Sequence, residues 1–333
     1  MIAQEATVTT HDVKQLVDEQ LSQQSVLLTD PHVEVQLASP RHTPAMSALY
    51  RAAYQRGDYF AGRYEEPPKQ IFDPGWLEQD LDNSDHLWFT FTDQNGALLG
   101  TTGFFHDYDS ESGPLMNSDE TQITPAGRGR RIMDAFFKRV VPMIEQSGAG
   151  LAADFVLSPE TKGLRRTLQT NLGMIALGIH PHILQHPNLP VTKSEISGAK
   201  YPRLQPKPAT ILPAFEPLYR LVQWQLPDLL EPTVISAKIA PGASNYAENY
   251  SEMPQAVQAT DLDEQAQALR DGFQPVAYNP DTNTFRMAIV PQDTPELDFI
   301  YHNEQVAANK RLVTYMKQVL YKNNTNGIGG KHD

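Results

Sequence analysis

The stretch that decides the fold is Thr124-Pro125-Ala126-Gly127-Arg128-Gly129-Arg130-Arg131-Ile132-Met133. We predict a strand over Glu120–Thr124, which Pro125 ends. Apolar residues at helical spacing predict an amphipathic helix over residues 128–146. The glycines between the two elements indicate a turn. The unit is therefore a strand, a glycine-containing turn and a long helix.

Three arginines fall in the predicted first turn of that helix. Helix N-termini carry partial positive charge and unpaired N–H groups, so acidic side chains are the usual residues there. Arg128, Arg130 and Arg131 would be stabilised by a bound anion, and a pyrophosphate meets the requirement. The alternative is a solvated arginine cluster that pairs with some of the chain's 40 carboxylates. This segment alone favours neither.

The flanks of the turn predict the sheet. Asn95-Gly96 separates two apolar runs and supplies the positive φ angles of a tight hairpin. The elements predicted downstream are the strand Leu151–Leu157, the helix Pro159–Asn171 with its stop at Gly173, and the strand Met174–Ile183. An antiparallel meander followed by a β-α-β-α-β run predicts an α+β or mixed α/β fold.

The turn and its flanks resemble the acyl-CoA-binding segment of the GNAT superfamily of N-acyltransferases. Chains of that family read strand, V-x-P-x-x-R-G-x-G-x-G/A and then helix. The residues on this pattern are Ile123, Pro125, Arg128, Gly129 and Ile132. Asn171-Leu172-Gly173-Met174 resembles a later family segment, and the loop Asp58-Tyr59-Phe60 resembles a subgroup with an appended lobe. The resemblance implies a GNAT fold with a central mixed sheet, plus a second, smaller and degenerate GNAT-like lobe.

The resemblance also implies an activity, in which an acyl group moves from acetyl-CoA or another acyl-CoA to an amine acceptor. The acceptor is a small molecule or a peptide, and a ternary complex with general-base assistance is expected. The residues implied to bind the donor are Ile123, Thr124, Arg128, Gly129, Arg130, Arg131 and Ile132.

Three positions depart from the family pattern. Arg131 and Met133 stand where the family has glycines that let the backbone approach a phosphate. Gln169 stands where the family often has the tyrosine that protonates the leaving thiolate. One alternative is a donor with a long acyl chain or bound to an acyl carrier protein, whose acidic surface the arginines would suit. The other is a non-catalytic binding or regulatory protein of the same fold.

Candidate catalytic residues lie at two strand ends. Glu120 is our candidate general base, on the opposite strand face from Asp119. Backbone N–H groups of residues 122–124 are expected to face the thioester oxygen. Ser158 would hydrogen-bond the donor's pantetheine arm or thiolate, although a helix N-cap is the favoured reading. Tyr59, Phe60 and Tyr64 would wall the acceptor pocket, with core packing as the favoured alternative.

The chain divides by pattern into five parts. We predict an N-terminal helical arm at 1–28, the GNAT domain at 29–185, a Pro-rich linker without regular structure at 186–214, the second lobe at 215–322 and a disordered tail at 323–333. A helix that stops at glycine before an apolar strand occurs at Gly173 and again at Gly272. This similarity suggests a repeated unit, with coincidence as the alternative.

Composition excludes several classes. The formal charge of −13 over 333 residues disfavours nucleic-acid binding, and the absence of cysteine excludes disulfides and thiolate metal sites. No signal peptide and no apolar run long enough for a membrane helix are found, so a soluble cytoplasmic protein is expected. His180 and His182 share a strand face but are predicted to be edge histidines, without a metal. Serine-hydrolase and dinucleotide motifs are lacking.

Overall fold

The computed structural model describes residues 8–29, 31–56, 61–62, 69–83, 85–110, 113–156, 162–186, 189–201, 203–237, 255–288 and 306–325. The helices are α1 Thr10–Gln23, α2 Thr43–Arg56, α3 Pro74–Leu81, α4 Ile132–Gln146, α5 Lys162–Arg166, α6 Glu216–Gln225, α7 Leu262–Arg270 and α8 Ala307–Thr325. A π-helical turn at Thr167–Asn171 follows α5, and short 3-10 turns lie at Pro40–His42 and Lys69–Phe72.

Strands make up the rest of the regular structure. They are β1 Val26–Thr29, β2 His32–Leu37, β3 Ala61–Gly62, β4 His86–Thr92, β5 Leu98–Ser110, β6 Gly113–Ile123, β7 Gly150–Val156, β8 Ile175–His186, β9 Leu189–Lys200, β10 Thr210–Ile211, β11 Thr233–Val234, β12 Gln255–Gln258, β13 Gln274–Asn279 and β14 Thr284–Ala288. Twelve of them form one sheet, in the order β1-β2-β4-β5-β6-β7-β9-β8-β13-β14-β12 with β3 on β8.

The first half of the chain confirms the predicted order of elements and the α+β class. Strands β4, β5 and β6 are an antiparallel meander, and β7 adds to β6 in parallel after α4. In the hairpin only Gly96 has positive φ, because Asp93 closes a longer turn by accepting from the N–H groups of Asn95 and Ala97. Strand β6 starts at Gly113, well before the predicted Glu120, because it pairs with β5 along its length.

The stretch predicted to be a linker contains a central strand. Strand β9 covers Leu189–Lys200 and lies between β7 and β8. The prediction of no regular structure at 186–214 is therefore wrong for this part. Pro190 is the second residue of the strand, and the next proline is Pro202, so the ladder from Thr192 to Lys200 keeps all its N–H donors.

The N-terminal arm packs on the main sheet as a helix. Thr9 caps α1 by a reciprocal pair of hydrogen bonds with Asp12. Val13, Val17 and Leu21 form its buried face, which joins the core beneath α4. Strand β1 then extends the sheet by pairing with β2. The arm is thus part of the folded domain.

One hydrophobic core runs through both halves of the chain. It includes Phe136 of α4 and Phe155 of β7, and it continues through Tyr219, Phe285 and Leu312 of the C-terminal half. The C-terminal strands extend the first sheet, since Ala277 of β13 pairs with Gly178 of β8. A second, smaller core lies on the other sheet face under α2 and α3.

None of the helices in the described ranges is both long enough and apolar enough to cross a membrane.

Candidate functional site: a cleft between parallel strands beside an arginine turn

The site is a cleft that opens where β6 and β7 stop pairing. Their parallel register runs from Leu115 opposite Gly150 to Ser118 opposite Ala153. Strand β6 then continues to Ile123, and it pairs with β5 alone through those residues in the described structure. The edge of β6 that faces β7 is thereby released, and its backbone groups become available to a ligand.

Glu120 forms the bulge at the mouth of this cleft. Its φ of 53° lies in the left-handed region, which costs free energy for a residue with a side chain. The phenol of Tyr50 on α2 donates to the Glu120 carbonyl oxygen at 2.5 Å, and the Glu120 N–H donates to the Asp119 carboxylate at 2.7 Å. These two contacts hold the bulge, and the Glu120 side chain is half-buried with Oε2 out of reach of solvent.

Tyr50 is fully buried beside that carboxylate. Burial, followed by the negative charge of Glu120, raises the pKa of Tyr50 well above its usual value. The phenol therefore stays protonated and remains a hydrogen-bond donor. Sequence reasoning missed Tyr50, since a tyrosine on the apolar face of a helix is ordinarily a core residue.

Thr124 and Gly127 form the first part of the turn. The backbone N–H and the hydroxyl of Thr124 both donate to the carbonyl oxygen of Leu99, at 2.9 and 3.1 Å. The expectation that the Thr124 N–H faces the thioester is therefore wrong, because β5 already uses this group. In an antiparallel pair N–H groups alternate in direction, so the neighbouring Ile123 N–H faces the cleft.

Gly127 makes the turn possible. A Cβ at this position would lie 2.5 Å from the Leu99 carbonyl oxygen, so only glycine fits against β5. Its N–H donates to Thr124, and its carbonyl oxygen accepts from Arg130 at 3.4 Å.

Helix α4 begins at Ile132, later than the predicted residue 128. Arg131 is its N-cap residue, with φ 59° and ψ 29°, and Gly129 also has positive φ. The arginines thus lie in the turn that leads to the helix. Arg131 therefore has a left-handed backbone conformation, which glycine adopts most readily, at the position where the family pattern has a glycine.

Charge is concentrated at this turn. The side chains of Arg128 and Arg131 are exposed, Arg131 at 77%. Arg131 donates to Asp134 at 2.9 Å, and Asp134 also accepts from Lys138 and from the Thr167 hydroxyl. The first N–H groups of α4 also lie at this turn, and they have no partners within the helix. Ile132 itself is buried in the core.

Gln169, at the tyrosine position of the family pattern, makes a contact between two elements of the fold. It exchanges two hydrogen bonds with Asn309 of α8, at 2.9 and 2.7 Å, and Asn309 is completely buried. Its amide therefore fixes the C-terminal helix against the π-helical turn. Ser158, Tyr59, Phe60 and Tyr64 lie outside the described residues.

Similarity of this chain to known proteins is found among solved structures. No protein-family model and no curated protein matches it. The chain is similar to a solved GCN5-related N-acetyltransferase from Kribbella flavida, with 16% identity and a TM-score of 0.40, over 52% of this chain and 99% of that one. It is also similar to a GNAT superfamily phosphinothricin acetyltransferase from Sinorhizobium meliloti in complex with AcCoA, with 16% identity and a TM-score of 0.40, over 50% and 87%.

A third similar structure is the ribosomal-protein-S5-alanine acetyltransferase from Vibrio fischeri, with 15% identity and a TM-score of 0.40, over 51% of this chain and 92% of that one. These solved structures thus match about half of the present chain and nearly all of their own length.

Proposed function

We propose that the chain is a GNAT-type N-acyltransferase that moves an acyl group from an acyl-CoA thioester to an amine. The observation that carries this proposal is the cleft between β6 and β7, which opens directly beside the arginine turn. An acyl-CoA thioester needs both the cleft and the arginine turn, because its reactive carbonyl group and its pyrophosphate lie at opposite ends of a long arm.

The turn fits the pyrophosphate of such a donor. Consecutive backbone N–H groups in turns with left-handed residues form concave anion sites, and Gly129 and Arg131 supply that conformation. The positive end of α4 and the exposed guanidinium groups add to the attraction. The donor arm would then run along the free edge of β6, with the Ile123 N–H donating to the thioester oxygen.

Glu120 would act as the general base. It takes a proton from the amine, the nitrogen attacks the thioester carbon, and the carbon–sulfur bond breaks as the amide forms. The proton lost by the amine ends on the departing thiol. The bulge directs the Glu120 carboxylate to a half-buried position, where it is less solvated than a carboxylate in water.

The donor site is tested by removing positive charge from the turn. Replacing Arg128 and Arg130 together with alanine should weaken binding of acetyl-CoA by about 2–4 kcal/mol, because two charge-assisted phosphate contacts are lost and solvent screening at this exposed turn reduces each to about 1–2 kcal/mol. Isothermal titration of the purified chain with acetyl-CoA, a long-chain acyl-CoA and an acyl carrier protein measures this. The tightest binder also identifies the donor class.

A matched variant controls for net charge. Arg270 and Lys310 are exposed cations of the C-terminal half, and R270A/K310A changes the total charge by the same amount. It should bind the donor as the wild type does. If R128A/R130A binds acetyl-CoA as tightly as the wild type does, the turn is not part of the donor site.

A further inference from the structure

A polar cavity of about 240 Å³ lies between the two halves of the chain. On β6, Met116 packs into the core under α4, whereas its neighbours Leu115 and Asn117 line the cavity on the opposite sheet face. The C-terminal half contributes Tyr278 and Arg286 to the wall. The volume exceeds the ~150 Å³ of a cavity that holds a benzene molecule. A ligand of one ring or a short chain would fit.

Two side chains of the wall carry buried polar atoms that lack hydrogen-bond partners within the described part of the chain. Both ring nitrogens of His180 are unpaired, and this residue is only 3% exposed. It is not the edge histidine predicted from sequence, because β13 covers β8 on that side. The buried Oδ1 atom of Asn117 is likewise unpaired. Leaving such groups without partners costs about 1–3 kcal/mol each, so they indicate a ligand.

The cavity carries an excess of negative charge. Asp107 and Asp154 face it from β5 and β7, and Arg286 faces it from β14. Partial desolvation by the cavity wall and then the charge of Asp154 raise the pKa of Asp107, while Arg286 opposes the rise, and all three residues remain partly in contact with solvent. Burial also lowers the pKa of His180 to about 3, with the nearby Arg286 cation as the second cause, so the imidazole is neutral at pH 7. Desolvation also raises the pKa of Asp154, so an added cation between the two carboxyl groups would favour their charged forms.

The wall is organised in advance of binding. The Tyr201 hydroxyl donates to Asn279 at 2.9 Å, and the Asn279 amide donates to the Tyr108 hydroxyl at 3.0 Å. The Ser197 hydroxyl donates to Asp154, which fixes that carboxylate. These contacts join β5, β7, β9 with the residue that follows it, and the end of β13. The cavity is thus held open by hydrogen bonds between the two halves.

We propose that this cavity binds a small monocationic amine, with its ammonium group between Asp107 and Asp154 and its hydrogen-bonding groups on His180 and Asn117. A metal ion is disfavoured, since the described side chains include no group of three or more that could hold one. That the amine is the acyl acceptor rests on the function proposed above. Asp154 directly follows Ala153, where the parallel ladder ends and the cleft begins.

Titration of the full chain with matched pairs of ligands tests this proposal. The amines are ethanolamine, 4-aminobutanol, cyclohexylamine and glucosamine, and the neutral partners are ethylene glycol, 1,4-butanediol, cyclohexanol and glucose. We expect at least one amine to bind saturably at one site per chain, while its neutral partner does not. Asp154→Asn should weaken that binding roughly tenfold or more, because a charge-assisted contact is lost.

Two further variants make the result decisive. Asp18→Asn removes an exposed carboxylate of α1 and should leave amine affinity unchanged. Ala152→Leu places a larger side chain into the cavity and should abolish binding. This variant tests the cavity independently in case the Asp154 variant does not fold. The proposal is overturned if no amine binds more tightly than its neutral partner, or if D154N and D18N bind alike. Acetyl-CoA is titrated in parallel. If acetyl-CoA binds and no amine binds, only the cavity proposal is excluded. If an amine binds and acetyl-CoA does not, only the donor-site proposal is excluded.

Discussion

At the scale of single residues, backbone strain is concentrated at the proposed site. The non-glycine residues with positive φ in the described ranges are Glu120, Arg131 and Asn283. Glu120 is the bulge at the cleft, and Arg131 is the cap of α4. Side chains at such angles persist only where neighbouring contacts hold them, as Tyr50 does for Glu120. Both residues belong to the site proposed above.

Glu120→Gln tests the general base. The amide has the same shape but cannot accept the proton of the amine, so kcat for acyl transfer should fall by a factor of roughly 10²–10⁴. Asp119→Asn is the matched control, because Asp119 is exposed and its amide can still accept from the Glu120 N–H. A steady-state assay of both variants separates them. Equal rates would exclude Glu120 as the base.

Arg131 provides a test of the turn conformation. Arg131→Gly and Arg131→Ala both lose the ion pair with Asp134. The difference between their free energies of unfolding therefore reports the cost of the backbone conformation. Alanine pays the left-handed penalty and glycine does not, so R131G should be more stable than R131A by about 1 kcal/mol. Urea unfolding measures the free energies. A more stable R131A would show that the residue leaves the left-handed region.

At the scale of elements, α8 explains one departure from the family pattern. Gln169 stands where the family pattern often has a tyrosine, and its amide group exchanges two hydrogen bonds with the amide group of Asn309. Asn309 is fully buried, so its polar atoms need this partner. The position is therefore occupied by a contact between the two halves of the chain.

A double-mutant cycle measures that contact. Gln169→Ala and Asn309→Ala should each cost about 1–3 kcal/mol of unfolding free energy, since each leaves one amide unpaired. The double variant should cost clearly less than the sum, with a coupling energy of about 1–2 kcal/mol. Additive effects would mean that the two amides do not interact in solution.

At the scale of the whole molecule, the two halves form one sheet and share one core. Gly178 and Ala277 each lie five residues after the glycine that ends a helix, Gly173 and Gly272, and they pair with each other across the junction. Equivalent positions therefore meet in antiparallel register, as a local two-fold arrangement requires. This pairing supports the proposal that the C-terminal half is a second, degenerate copy of the same unit.

Gly178→Ala tests the junction. A Cβ at Gly178 would lie 2.1 Å from the Val276 carbonyl oxygen, so the two strands must move apart. The change should cost about 3 kcal/mol or more, and the remaining transition should stay cooperative. Gly163→Ala in α5 meets nothing within 4 Å and should be neutral or slightly stabilising. Equal stability of the two variants would mean that β8 and β13 do not pack as described.

Local patterns in the sequence determined the meander, the order of helices and strands from β4 to β8, and the glycine turn before α4. These features depend on hydrophobic period, turn residues and helix stops, which act over a few residues. The sequence by itself did not reveal that β9 runs through a proline-rich stretch, because a strand's place depends on its partners β7 and β8.

Only the tertiary structure decided the remaining features of the site. The bulge at Glu120 depends on Tyr50, which is distant in sequence, and the partner of Gln169 is farther still along the chain. The cavity exists because the sheet brings Asp107, Asp154, His180 and Arg286 to one place. Each of these residues looks ordinary in its own segment. The charges of Asp107, Asp154 and Arg286, which stay exposed, and the unpaired ring nitrogens of the buried His180 become informative only when long-range strand pairing brings them to one cavity.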